Sequence, residues 1–312
     1  MSECRLCPRA CGVDRKQMAG YCGMTGKIKA ARAALHMWEE PVLSGRKGSG
    51  AIFFTGCPLG CVFCQNRRIA LGQQGKEISA GRLVEIFFEL KEKGANNINL
   101  VTPTHFIPEI REALLTARAE GLRLPVVYNT GSYETVESLK MLDGLVDIYL
   151  PDFKYYESAT ARRYANAPDY PKVARAAIRE MVRQTGSMKF VRETGPEEET
   201  DYDGDEEGIL MKRGVIVRHL LLPDMAEESK KIIGELYRTY GNDIYLSIMN
   251  QYTPVLDEKT AEKYPELKRK VTEAEYDEVI DYALESGVEQ AFIQEGETAG
   301  ESFIPVFECE GI

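Results

Sequence analysis

The sequence predicts an α/β fold: a (β/α) barrel, partial or full, behind a small cysteine-rich N-terminal appendage. Three observations carry this reading. Short β-rich runs alternate with amphipathic segments along most of the 312 residues, the pattern of parallel strands joined by crossover helices. Three clustered cysteines follow the first such run, where a barrel carries its reactive groups. Four more fall within the first 22 residues. A doubly wound open sheet is the alternative, because periodicity does not say whether a sheet closes.

Residues 51–55 read as the first strand. A helix begins after Ser79, its N-cap, with Leu83, Ile86, Phe87 and Leu90 at helical spacing and Gly94 placed to end it. Strands at 97–101, 125–129 and 146–150 alternate with helices at 108–120 and 133–142. A helix at 169–184 leads to a strand at 215–222, and a helix at 226–240 to a strand at 244–248. A late helix opens with the capping box of Thr272 and Glu275, buries Tyr276, Val279, Ile280 and Ala283, and stops at Gly287. Residues 290–294 read as a last strand. The implied division is a metal-binding segment over 1–48 and a barrel over 49–312.

Composition bounds the function. The chain is 44% hydrophobic and 28% charged, as in ordinary globular proteins. It has no apolar run of about 18 residues and no signal peptide, so a cytoplasmic protein with no membrane partner is expected. With 39 Lys and Arg against 49 Asp and Glu, the net charge of −10 argues against nucleic acid as a partner. Residues 197–207, EEETDYDGDEE, read as a solvated insertion between two strands, with a partner-docking or cation-binding loop as the alternative.

Eight cysteines in a chain expected to be cytoplasmic point to metal or redox chemistry, since cytosolic thiols stay reduced. Cys57, Cys61 and Cys64 are spaced C-x3-C-x2-C on one loop, TGCPLGCVFCQN. Three thiolates can hold three irons of a 4Fe-4S cubane and leave the fourth open, as a catalytic centre requires. A zinc loop, or a cluster with a fourth ligand from elsewhere, is the alternative. Cys4, Cys7, Cys11 and Cys22 supply four ligands, enough to close the sphere of a structural zinc or an auxiliary iron-sulfur cluster. Cys309 stands alone and has no assigned role.

The cysteine loop follows a strand and places Phe63 just before its last cysteine, which resembles the signature of the radical S-adenosylmethionine superfamily. GCPLGCVFCQN, YNTGSY (128–133), LPDFKYY (150–156) and VRHLLLPD (217–224) together are similar to segments of pyruvate formate-lyase activating enzyme and its uncharacterised relatives. The resemblance implies a partial (β/α) barrel of about six parallel strands, with the cluster and S-adenosylmethionine as cofactors. It implies that Lys154 pairs with the cofactor's carboxylate, and that Asp152, Thr130 and the Leu150 carbonyl line a small cation site beside it. Arg218 is implied near the ribose or carboxylate. Asn129 stands where the activating enzymes commonly have Asp, and Phe63 is implied beside the cofactor. VTPTHF replaces the usual Gly-Gly-Glu segment after the second strand, so Thr102 and Thr104 are expected to supply acceptors there. His105 is a candidate acid/base or a structural histidine, ahead of His36 and His219. The cysteine-rich opening resembles that of the uncharacterised relatives.

Reductive cleavage of S-adenosylmethionine to a 5′-deoxyadenosyl radical, followed by hydrogen-atom abstraction, is the implied activity. The leading expectation is activation of a glycyl radical enzyme as protein substrate, with an electron donor such as a flavodoxin or ferredoxin. Radical modification of a small molecule, peptide or other macromolecule is the second. An iron-sulfur electron carrier or redox sensor is the third, and it has no use for Lys154 or Asp152 beside an open iron.

Overall fold

The apolar runs IFF, INLV, VVYNT and YLSIM become neighbouring strands because each is buried on both faces, as a parallel sheet covered by helices demands. In this computed structural model, which describes residues 3–194, 198–202, 208–294, 305 and 307–312, the strands are β1 (Lys29–His36), β2 (Ser49–Phe54), β3 (Lys76–Glu77), β4 (Ile98–Val101), β5 (Val126–Thr130), β6 (Ile148–Pro151), β7 (Lys189–Arg192), β8 (Glu199–Thr200), β9 (Ile209–Leu220), β10 (Tyr245–Met249) and β11 (Ala291–Ile293). Their spatial order is β11-β10-β9-β6-β5-β4-β2-β1-β3. From β11 to β2 the pairing is parallel throughout. Among the described residues this is a partial barrel of seven parallel strands.

The helices are α1 (Pro41–Ser44), α2 (Arg67–Ala70), α3 (Ala80–Glu92), α4 (Ile107–Ala119), α5 (Val136–Lys140), α6 (Ser158–Ala165), α7 (Tyr170–Thr185), α8 (Ala226–Tyr240), α9 (Glu258–Lys263) and α10 (Glu273–Glu285). Ser79 caps α3 by accepting from Arg82 N–H, and the Thr272–Glu275 capping box opens α10. Leu83, Ile86, Phe87 and Leu90 bury the inner face of α3. Each contributes about 1.5–3 kcal/mol relative to exposure.

Two features depart from the sequence reading. First, β1 runs antiparallel to β2, so residues 29–36 of the expected appendage belong to the sheet. Residues near the C-terminus lie against the same strand: Cys309 N–H donates to the Ala31 carbonyl and Ala33 N–H to the Glu310 carbonyl. Second, β9 is longer than expected and changes partners at Gly214, whose φ of +144° suits glycine. Before it β9 pairs antiparallel with β7, and after it β9 joins the parallel sheet. Part of the acidic segment 197–207 lies outside the described residues. Its Glu199 and Thr200 pair with β7, and Tyr202 packs on Phe190 and Tyr245.

Candidate functional site

Strand β2 ends at Phe54 and hands the chain to the loop of Cys57, Cys61 and Cys64 at the C-terminal edge of the sheet. Gly56 makes the first bend at φ +92°, and a Cβ there would stand 2.8 Å from the Cys22 carbonyl oxygen. A side chain has no room. Leu59 N–H donates to Cys57 Sγ at 3.4 Å, and Val62 N–H to the Tyr164 carbonyl at 2.9 Å. Buried Phe63 meets Tyr155, Tyr164 and Tyr252 edge-on and anchors the loop.

The three cysteines line one cavity of about 280 Å³. Burial pushes the Cys61 thiol up to about 11 and the Cys64 thiol up to about 12, with neighbouring cysteine sulfurs adding to both. A pocket that gathers thiols while penalising their negative charge is suited to a cationic centre that would neutralise them. Among the described residues no three His, Cys, Asp or Glu side chains converge on a point where one ion would touch them all. Cubane ligands need no such point, since each thiolate holds a different iron. These residues therefore fit an iron-sulfur cluster.

Phe63, Thr102, Asn129, Thr130, Asp152, Lys154 and Arg218 line the same cavity. The ends of successive parallel strands deliver them: Thr102 follows β4, Asn129 and Thr130 close β5, Asp152 and Lys154 follow β6, and Arg218 lies on β9. Leu150 of β6 lies opposite Asn129 of β5. Asp152 pairs with Lys154 Nζ at 2.5 Å and with Arg218 Nε at 2.8 Å. Burial works against the charge of the Asp152 carboxyl, yet Arg218 and Lys154 hold it below the usual carboxylate range. Burial likewise opposes the charged Lys154, and Asp152 outweighs it, raising the ammonium above its ordinary value.

Arg218 is more committed than a cofactor contact would be. Besides Asp152 it donates to Glu39 Oε1 at 3.0 Å and to Asn129 Oδ1 at 2.7 Å. The cationic group between Asp152 and Asn129 is thus the guanidinium. Glu39 also accepts from Asn99 and Asn129 Nδ2, at 2.9 and 3.0 Å.

Three candidates fall elsewhere. Thr104 does not line the cavity: Pro103 starts a 3-10 turn that directs it inward, where its hydroxyl donates to buried Glu134 at 2.6 Å. His105 is buried, donates from Nε2 to the Thr55 carbonyl at 2.7 Å, and also lies outside the cavity lining. Burial lowers its pKa to about 3, so it stays neutral and braces the cysteine loop. His219 contacts the Phe153 carbonyl and Ser229 and is structural.

At the N-terminal cluster, a Cβ on Gly20 would meet Cys11 Sγ at 3.1 Å and Cys22 Sγ at 3.7 Å. Burial pushes the Cys7 thiol up to about 12, and Cys22, Cys4 and Cys11 add their repulsion. The four sulfurs are thus within electrostatic reach of one another. Arg9, between Cys7 and Cys11, donates to the carbonyls of Pro58, Leu59, Ala165 and Asn166 at 2.5–3.3 Å. It also lies over the rings of Tyr21 and Tyr133. Arg15 donates to the carbonyls of His105 and Thr25. One cysteine loop is therefore braced directly on the other.

Sequence reasoning missed Glu39, Trp38, Gln65 and Gln251, which also line the cavity. Glu39 follows β1, a strand that the sequence reading did not contain, and it reaches the site only through tertiary pairing. Tyr155 carries no signal of its own inside LPDFKYY, yet its hydroxyl touches Cys61.

Residues 51–201 match the radical SAM superfamily. The chain is 29% identical over 291 residues to an uncharacterised protein of Methanocaldococcus jannaschii, covering 90% of this chain and 74% of that one. A radical SAM methyltransferase from Sphaerobacter thermophilus is similar in fold, with a TM-score of 0.51 and 14% identity over 81% of this chain and 68% of its own. Streptococcus suis SuiB bound to S-adenosylmethionine has a TM-score of 0.48 at 14% identity, over 77% of this chain and 48% of its own.

Proposed function

We propose that this chain, whose residues 51–201 match the radical SAM superfamily, is an enzyme that abstracts a hydrogen atom from a glycine of a partner protein, activating a glycyl radical enzyme. The cluster and S-adenosylmethionine, when bound, supply one-electron cleavage of a carbon–sulfur bond and the species that takes the hydrogen. The chain's own residues bind and orient. Cys57, Cys61 and Cys64 hold three irons, and Lys154 meets the cofactor's carboxylate with a charge-assisted hydrogen bond. Arg218, saturated by Asp152, Glu39 and Asn129, keeps those strand ends in register.

The observation that supports a protein substrate is the cavity's size. About 280 Å³ lies just below the range of single-ligand pockets, roughly 300–1,000 Å³. A cavity this small favours a reacting group presented from outside beside the bound cofactor, as a polypeptide loop can do, over a second whole molecule enclosed within it. In this reading the four N-terminal cysteines hold a second metal: an auxiliary cluster, whose thiolates each take a different iron, or zinc once they close around one ion.

Anaerobically reconstituted protein, reduced and given S-adenosylmethionine, is expected to yield methionine and 5′-deoxyadenosine, and the triple Ala variant of Cys57, Cys61 and Cys64 none. Equal yields would defeat the enzyme assignment. A glycyl radical signal in a co-expressed glycyl radical enzyme supports the substrate. Turnover of a free small molecule or peptide, without that signal, moves the assignment to the second reading.

A further inference from the structure

We propose that Tyr155 sets the reduction potential of the cluster through its hydrogen bond to the Cys61 sulfur, an inference that rests on the cluster assignment above. The Tyr155 hydroxyl lies 3.2 Å from Cys61 Sγ, and the tyrosine is fully buried. A buried hydroxyl needs a partner, and this sulfur, 94 positions away in the chain, provides it.

The hydroxyl's position is over-determined. Its ring stacks on Tyr164 at 6.3 Å and meets Tyr170 and Phe63 edge-on at 5.2 and 6.3 Å. On one side of Tyr155 in the chain, Lys154 N–H donates to the Tyr170 hydroxyl, which itself donates to the Asp152 carbonyl, each at 2.9 Å. On the other, Tyr156 N–H donates to Glu228 at 2.7 Å. The ring contacts and the bonds of the flanking backbone together fix the hydroxyl against the sulfur.

A donor to a ligand sulfur favours the more negative cluster state. Reduction adds charge that spreads onto the thiolates, and a fixed O–H dipole in a dry, low-dielectric setting stabilises that charge. Hydrogen bonds to sulfur are among the determinants of cluster potential. Tyr155 is thus a positioning residue that acts through Cys61 and makes the electron easier to accept.

The test is a spectroelectrochemical titration of the reconstituted full chain, read by the signal of the reduced cluster. Tyr155→Phe keeps the ring and removes the donor. Its midpoint should fall so that the reduced-to-oxidised ratio at a fixed poise drops about tenfold, equivalent to about 59 mV for one electron. Tyr164→Phe, whose hydroxyl donates to Glu266 instead, should leave the midpoint in place. Should Tyr155→Phe fail to retain a cluster, fluorotyrosine at position 155 decides: a stronger donor in the same ring should raise the midpoint. Iron bound with an unmoved midpoint in the Phe variant, or in the fluorotyrosine protein, overturns the proposal. Wild-type chain that binds no iron overturns the cluster assignment, and the proposal with it.

Discussion

Lys154 Nζ lies 2.5 Å from Asp152 Oδ2, while the other oxygen of Asp152 accepts from Arg218. Asp152 therefore keeps a cationic partner when Lys154 is removed. This makes Lys154→Ala a clean probe of the proposed cofactor contact. Loss of one charge-assisted hydrogen bond, about 1.5–3 kcal/mol, should weaken S-adenosylmethionine binding by roughly one to two orders of magnitude. Iron content should not change. Calorimetric titration of the reconstituted variant checks both; unchanged affinity would make Lys154 a purely structural partner of Asp152.

Glu39 carries more of the fold's stability than its place in the sequence suggests. Its truncation leaves Arg218 Nη1, Asn99 Nδ2 and Asn129 Nδ2 without their shared acceptor. Breaking a buried pair costs about 3–5 kcal/mol. Glu39→Ala should lower the urea midpoint accordingly with an unchanged m-value. A loss below about 1 kcal/mol, the range of exposed ion pairs, would show that water replaces the carboxylate.

Glu40 gives a pH dependence whose sign can be worked out. Burial pushes its carboxyl up from 4.5 to about 7, with Arg218 opposing and Glu39 adding to the rise. Between those values the folded state holds a proton that the unfolded chain has released. The group's contribution is therefore complete below pH 4.5 and declines as pH rises toward 7. Glu40→Gln should gain stability relative to wild type over that window, by roughly 3 kcal/mol at most. Unfolding free energies at pH 5 and pH 8 measure the difference, and a pH-independent gap would mean that Glu40 titrates normally.

Metal analysis of the chain lacking Cys57, Cys61 and Cys64 isolates the N-terminal site. The variant should retain metal, and replacing Cys4, Cys7, Cys11 and Cys22 as well should remove it. About one zinc without iron identifies a structural site. Several irons with sulfide identify an auxiliary cluster, and no metal at all counts against both.

The parallel strands were legible because each is a short apolar run between turn residues, and burial on both faces keeps such runs uninterrupted. β1 was not. Its alanine-rich KAARAALH lacks strand-forming bulk, and pairing with β2 decides its state. Short helices such as α1 and α2 span too few residues to show a period. In the site, the three thiols could be read from spacing alone. Thr104 could be recognised as a hydroxyl, but the turn at Pro103 decided where it points. Arg218 could be recognised as a cation, yet its three partners come from segments 66 to 179 positions away, beyond the reach of local pattern.

Arg9 also sets a clock on the chain's synthesis. Its acceptor at Asn166 lies 157 positions downstream, so at roughly 5–20 residues per second the opening segment waits on the order of 10–30 s for its docking partner to leave the ribosome. Throughout that interval Cys4, Cys7, Cys11 and Cys22 are translated but their segment cannot yet rest on the Ala165 and Asn166 carbonyls. In the proposed reading of a second metal site, delivery to them is then a task for the nascent chain, before the barrel exists. Ribosome-bound chains stalled before residue 165 should already protect these thiols from alkylation when metal is supplied, whereas thiols left fully reactive until release would place delivery after folding.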